Sequence, residues 1–326
     1  MFTLVLKPPA DMQAFIPDPH YIQKPKHGID WTGLALLTAG LGSLQYVLER
    51  GQRLDWFSSS TIVWLTVTSV VALTIFVFKA LRDREPLVNL RVFRYVAFAV
   101  GNVMSFISGF GLYGTALVLP LFLQSTLGFT AFETGMALMP GAAATAVSML
   151  LAGRMVNRFD SRALIAFGFF MFVCSTWLLG GLTTQAGYWN IFWPRIIQGF
   201  GLGFLFVPLS TVSLGAVPVA EMANATGIYS LVRQLGGSLG IAVLTMLLDR
   251  HTEIAWNALA SGVTNTHGMS VVALTQLVAQ QAQMIAYNYL FQLCALVFLL
   301  AIPLVLLMPA PAKKPSETVA VEVPIE

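Results

Sequence analysis

The sequence predicts an all-α, polytopic membrane helix bundle with about eight transmembrane helices. Three observations carry that prediction. Hydrophobic residues make up 56% of the 326 and charged residues only 10%, which lies far from the composition of a soluble domain. Eight apolar runs, over approximately 31–48, 60–80, 97–123, 131–152, 163–183, 189–214, 222–248 and 285–308, each come near the roughly 17–25 residues that span a bilayer. Lysines and arginines fall almost entirely in alternate connections between those runs.

In chain order, Met1–Leu6 is a short apolar scrap that stops at Lys7-Pro8-Pro9. It is too short for a secretory signal, whose apolar core needs about 7–15 residues, and reads as the remnant of a preceding span. With the polar stretch holding Pro17, Pro19 and Pro25, residues 1–29 read as that remnant plus a cytoplasmic linker. Residues 30–94 hold two spans and a basic inner loop. Residues 95–308 hold six more, and the first element after Thr130 opens on a capping box, Thr130-Ala131-Phe132-Glu133. Helix is required throughout, because hydrocarbon offers no partner to open backbone groups. A transmembrane barrel would alternate in ten-residue strands, and these runs do not alternate. The segment 249–284 is expected to be a large outer loop. Within it Leu274, Leu277 and Val278 at helical spacing suggest a surface-lying helix. After Pro309-Ala310-Pro311, residues 309–326 read as a disordered cytoplasmic tail.

Orientation follows from the cations. With the amino end inside, inner segments hold Lys7, Lys24, Lys26, Lys79, Arg82, Arg84, Arg91, Arg94, Arg154, Arg158, Arg162, Lys313 and Lys314, while outer ones hold only Arg50, Arg53 and Arg250. Both chain ends are therefore expected in the cytoplasm. The net charge of +3 includes no basic stripe, so nucleic acid is excluded as a partner. Cys174 and Cys294 sit in apolar runs and the four histidines are scattered, so no disulfide, metal site or cofactor is expected. Two enzyme-like patterns, Gly109-Phe110-Gly111-Leu112-Tyr113-Gly114 and Gly236-Gly237-Ser238-Leu239-Gly240, lie inside spans. They lack the preceding strand or activating residues their chemistry needs, and read as small-residue packing.

The polar residues inside spans are the functional candidates. The run from Trp193 to Pro208 carries Arg195 and Gln198 three apart, then Gly199, Gly201 and Gly203, which are expected to strip one side of the helix for close packing. Arg233 and Gln234 lie near the middle of the seventh run, and Asn102 and Tyr113 lie in the third. A buried guanidinium costs several kcal/mol unless it meets partners or a wet cavity. Each arginine therefore either locks helices through backbone carbonyls or lines a cavity, and the cost of burial favours the cavity. Phe106, Phe110, Met104, Phe169 and Met171 read as packing or lipid-facing residues. The tight inner connection holding Gly153, Asn157, Arg158, Asp160 and Arg162 suits a gating loop that locks against an adjacent helix and releases it.

These residues carry a resemblance. The order and spacing of Asp30-Trp31-Thr32-Gly33, Leu48-Glu49-Arg50-Gly51, Leu54-Asp55-Trp56-Phe57-Ser58, Ala223-Asn224-Ala225-Thr226-Gly227 and Arg233-Gln234-Leu235-Gly236-Gly237-Ser238-Leu239-Gly240 resemble the carboxyl-terminal part of a fourteen-span drug:proton antiporter. That family, of the multidrug-export B type, is in the major facilitator superfamily. The resemblance covers residues 30–308. It implies that the first two runs are the extra pair between two six-span halves and that the last six form the second half. Gly153, Arg158 and Arg162 then match the family's inner gating motif, while Asn157 stands for its acid and Asp160 for a glycine. Arg195, Gln198, Gly199, Gly201 and Gly203 echo the span linked to proton coupling in the first half. Gly236, Gly237 and Gly240 sit where the first half carries its glycine-rich motif. Asn288 and Tyr289 stand where relatives often have an acid.

The implied function is proton-coupled efflux of hydrophobic or amphipathic compounds across the inner membrane by alternating access. The implied partners are the bilayer, the missing amino-terminal six-span half and a periplasmic adaptor protein. The fifteen acids leave none deep in a span, since Asp30, Glu49, Glu133, Glu221 and Asp249 sit at the edges. Arginine does not titrate, so the coupling acids are expected in the other half. The second reading is a non-transporting truncated remnant, or a membrane assembly or regulatory subunit.

Overall fold

In the computed structural model, which describes residues 30–83, 88–262 and 270–308, the apolar runs become eight long α-helices. These are α1 (Trp31–Arg50), α2 (Ser60–Arg82), α3 (Val96–Ser125), α4 (Ala131–Met155), α5 (Ser161–Leu179), α6 (Tyr188–Gly215), α7 (Met222–Gly262) and α8 (Val271–Ala301). A short 3₁₀ turn, Ile302–Leu307, continues α8. The readings for 1–29 and for 309–326 lie outside the described residues. Among the described residues there is no strand.

Seven of the helices are long and apolar enough to cross a membrane, and α1 is the one that is not. Its 20 residues include Gly33, Gly40, Gly42, Gln45, Glu49 and Arg50, which dilute its hydropathy without interrupting the helix. Instead α1 pairs with α2 in an antiparallel hairpin. Ser69 donates to the Gly40 carbonyl at 3.0 Å, and Lys79 forms an ion pair with Asp30, which also caps α1 through Gly33 N–H.

The remaining helices pack by contact rather than by charge. α6 lies between α4 and α5, α3 lies along α7, and α8 touches α7, α5 and α3. The interior is aromatic: Phe172 stacks on Phe298 with centroids 4.0 Å apart, and Phe122 meets Tyr287 and Phe291 edge-on. The capping box before α4 is present, with Thr130 N–H donating to Glu133 Oε2 at 2.8 Å and Glu133 N–H to Thr130 Oγ1 at 3.2 Å.

The segment 249–284 departs from expectation. α7 runs unbroken for 41 residues to Gly262, and α8 starts at Val271, so most of the expected outer loop is the extension of two spans. No isolated surface helix lies there among the described residues. At about 1.5 Å per residue α7 reaches roughly 60 Å, about twice a ~30 Å hydrocarbon core. Between Asp249 and Ser261 the chain holds neither glycine nor proline. Hydropathy falls where the helix leaves lipid, yet nothing stops the helix. The two extensions enclose a cleft of about 360 Å³ lined by Asp249, Glu253, Trp256, Gln283 and Tyr287, and His251 stacks on Tyr289 at 3.8 Å.

Candidate functional site

Two polar layers lie within the bundle, one around each of the two half-buried arginines. The first belongs to α6. Three residues along one helix bring side chains to the same face, and Arg195 Nη1 donates to Gln198 Oε1. Gln198, only 1% exposed, passes the chain across to α3 by donating from Nε2 to Thr115 Oγ1 at 3.4 Å. Thr115 in turn donates to the Gly111 carbonyl at 2.6 Å. Space for the guanidinium comes from α4: a Cβ on Gly141 would stand 3.0 Å from Arg195 Nη2. Arg195 Nε is buried with no partner among the described residues. The helix is shaped by Pro194 and Pro208, and Ser175 of α5 donates at 2.8 Å to the Pro194 carbonyl.

The glycines after Arg195 do not strip one side of α6, as the sequence suggested. A Cβ on Gly199 would stand 2.1 Å from the Gly141 carbonyl oxygen, and one on Gly203 1.9 Å from Ser148 Oγ, both on α4. Gly201 faces the other way, with the Gly168 carbonyl oxygen of α5 2.9 Å from its would-be Cβ. At 100° per residue, positions two apart lie on nearly opposite faces. The three glycines therefore seat α6 tightly between two neighbours, and Ser148 donates to the Gly199 carbonyl at 3.2 Å across one of those contacts.

The second layer lies where α3, α6 and α7 converge. The Arg233 guanidinium lies over the Phe206 ring, 5.4 Å from its centroid, a cation–π contact between α7 and α6. Its side chain makes no hydrogen bond or ion pair among the described residues. Gln234 beside it is exposed. Asn102 is buried and donates from Nδ2 to the Phe98 carbonyl at 2.8 Å. Tyr113 is 41% exposed and its ring covers Gly237, whose Cβ would stand 2.4 Å from it. Gly236 and Gly240 press on the Phe106 and Phe110 carbonyls, with would-be Cβ distances of 2.2 and 2.4 Å.

The connection 153–162 stands apart from both layers. Gly153, Asn157, Arg158 and Asp160 are exposed, and nothing lies within 4 Å of a Cβ on Gly153. Asp160 caps α5, accepting from Arg162 N–H at 2.9 Å, while Arg162 Nε is buried without a partner among the described residues. At its start Met155 and Val156 pack on the apolar cluster of Ala152, Leu164 and Phe204, where α4, α5 and α6 meet.

Sequence reasoning noted Asn224 only within the Ala223–Gly227 stretch of the resemblance, yet it fixes the start of α7 to the segment before α3. Its Nδ2 donates to the Asn89 carbonyl and its Oδ1 accepts from Asn89 N–H, both at 3.0 Å. Sequence reasoning passed over Thr115, Phe206, Ser105 and Tyr229, since single hydroxyls and aromatics in apolar runs carry no distinguishing pattern. Asn288, in place of an acid, donates to the Leu182 carbonyl at 3.0 Å.

Long apolar helices, glycine-mediated packing and arginines held in the interior define a polytopic helical membrane protein. Its family can be stated too. The model of the Major Facilitator Superfamily matches residues 31–241 and 102–324, and the chain belongs to that family. Over 295 residues it is 31% identical to the multidrug export protein EmrB of Escherichia coli strain K12, covering 85% of this chain and 58% of that protein. It is 30% identical over 300 residues to the fatty acid resistance protein FarB of Neisseria gonorrhoeae, covering 86% of this chain and 59% of that protein. The chain thus spans under two thirds of the length of these relatives. A bacterial homolog of the human lysosomal transporter Spinster, in an inward-facing and occupied conformation, superposes with a TM-score of 0.47 at 18% identity. That superposition covers 82% of this chain and 66% of the other.

Proposed function

We propose that the chain is the carboxyl-terminal part of a proton-coupled efflux transporter that exports hydrophobic or amphipathic compounds by alternating access. The single observation carrying this reading is Arg233, a charge inside the bundle with no hydrogen bond or ion pair among the described residues. A charge at that depth calls for water, carbonyls or an acid beside it, and a cavity between two halves supplies these. The matched relatives, one named for multidrug export and one for fatty acid resistance, support the same direction. α1 and α2 are then the extra pair, and α3 to α8 form the second six-helix half. The first half, with the titrating acids, lies outside these 326 residues. Enzymatic chemistry has no place in this reading, since both enzyme-like patterns are helix-packing glycines. The cytoplasmic orientation of the basic ends, residence in the inner membrane and a periplasmic adaptor complete the proposal.

The test is Arg233→Gln in the chain co-expressed with an amino-terminal half from a relative. A transport role predicts near-normal amounts of folded protein and efflux per folded molecule reduced about tenfold, or ~1.4 kcal/mol on the barrier. Unchanged efflux per folded molecule removes Arg233 from the pathway and favours a helix lock or a non-transporting remnant.

A further inference from the structure

The seam between α3 and α7 contains a cluster of three buried polar atoms. Asn102 Oδ1, Ser105 Oγ and the Tyr229 hydroxyl have no hydrogen-bond partner among the described residues, although the three residues are only 2%, 1% and 4% exposed. Asn102 and Ser105 stand three apart on α3 and share a face. Tyr229 comes across from α7 and brings its hydroxyl toward that of Ser105. Arg233 stands one turn further along α7. Buried groups left unpaired carry the full cost of their desolvation, so three of them in one seam favour a small polar partner between the helices.

The donor and acceptor pattern selects the occupant. Asn102 Nδ2 is committed to the Phe98 carbonyl, so Oδ1 presents an acceptor and repels an anion. The charge of Arg233 disfavours a cation. The two hydroxyls either donate or accept. A small neutral molecule that does both is required, and water with two to four polar partners meets the requirement. We propose that Asn102, Ser105 and Tyr229 hold ordered water between α3 and α7, and that this water furnishes the polar surroundings of Arg233 inside the membrane. Hydration ends at the glycines. A Cβ on Gly109 would stand 2.1 Å from the Arg233 carbonyl oxygen, and one on Gly236 2.2 Å from that of Phe106, so there the backbones leave no room for water.

Radiolytic hydroxyl-radical footprinting of the chain in native membranes tests this without any substitution, because radicals formed from bound water modify the side chains beside it. Tyr229 should be modified readily, while Phe169 and Phe172, which are 0% exposed in the apolar core, stay unmodified. Asn102→Leu should slow the labelling of Tyr229. Labelling of Tyr229 no faster than that of Phe169 overturns the proposal. A second arm uses Ser105→Ala. If water is bound, losing the hydroxyl lowers the thermal midpoint. If the seam is empty, deleting an unpaired group raises it, and a raised midpoint likewise overturns the proposal.

Discussion

Gly199→Ala adds a single methyl group at the contact of α6 with α4. That methyl would stand 2.1 Å from the Gly141 carbonyl oxygen and 3.0 Å from the Ala144 Cβ, whereas ordinary contact begins near 3.4 Å. Relieving the first clash requires the two helices to part by roughly an ångström. The obstruction is backbone, so no side chain can swing aside. The same movement stretches the 3.2 Å bond from Ser148 to the Gly199 carbonyl and disturbs the bed of Arg195 on Gly141. Overpacking of this kind costs about 1–3 kcal/mol, against a gain of about 0.5–1 kcal/mol for replacing a helical glycine by alanine. The loss wins. Gly153→Ala is the matched control, because nothing lies within 4 Å of its would-be Cβ and only the gain remains. Thermal unfolding of the purified chain in detergent, followed by tryptophan fluorescence, should show Gly199→Ala lowered and Gly153→Ala unchanged or raised. Equal midpoints for Gly199→Ala and the parent chain would refute the claim that close backbone approach holds α6 in place.

Gln198→Leu should lower stability by about 1–3 kcal/mol, because it removes the bond from Arg195 and cuts the link to Thr115. Thr115→Val, at the 3.4 Å end of the link, should cost less, and a reversed order in the same unfolding assay contradicts the layer. At the surface, hydrogen bonds from Lys79, then from Gly33 N–H and Thr32, lower the Asp30 carboxyl to about 2. Because the folded value is the depressed one, the stabilisation is present above about pH 4 and is lost as pH falls toward 2. The advantage of the parent chain over Asp30→Asn should therefore vanish near pH 2, and an advantage that persists there denies the ion pair with Lys79. For topology, cysteines placed at Arg91 and Arg158 should be shielded from an impermeant outside thiol reagent, and one at Arg53 should react. Outside labelling at position 158 inverts the proposed orientation.

The spans were readable because lipid leaves a chain few choices, and helix positions follow wherever apolar runs persist. The start of α4 was readable for a separate reason, since Thr130 and Glu133 are spaced for reciprocal bonds. The ends of α7 and α8 were not. Hydropathy reports where lipid ends, whereas Asp249, Arg250 and Glu253 are compatible with helix and carry no stop signal. Arg195 and Gln198 stood out as costly residues at a shared-face spacing, and they do bond to each other. Gln234 stood out equally by composition; one step along a helix turns its side chain 100° from that of Arg233, and it is exposed. The glycines announced close packing, but their assignment to α4 and α5 separately became visible only with both neighbours in place. Ser105 and Tyr229 gave no signal, because their burial side by side across α3 and α7 is visible only in three dimensions.

The central claim is that this chain supplies one half of a proton-driven exporter. Reconstituting it into liposomes, alone and with a co-expressed amino-terminal half, and imposing a proton gradient measures that directly. The account predicts uncoupler-sensitive efflux of an amphipathic dye from the pair and none from the chain alone. Uncoupler-sensitive efflux by the chain alone, or none from a correctly folded pair, would contradict it.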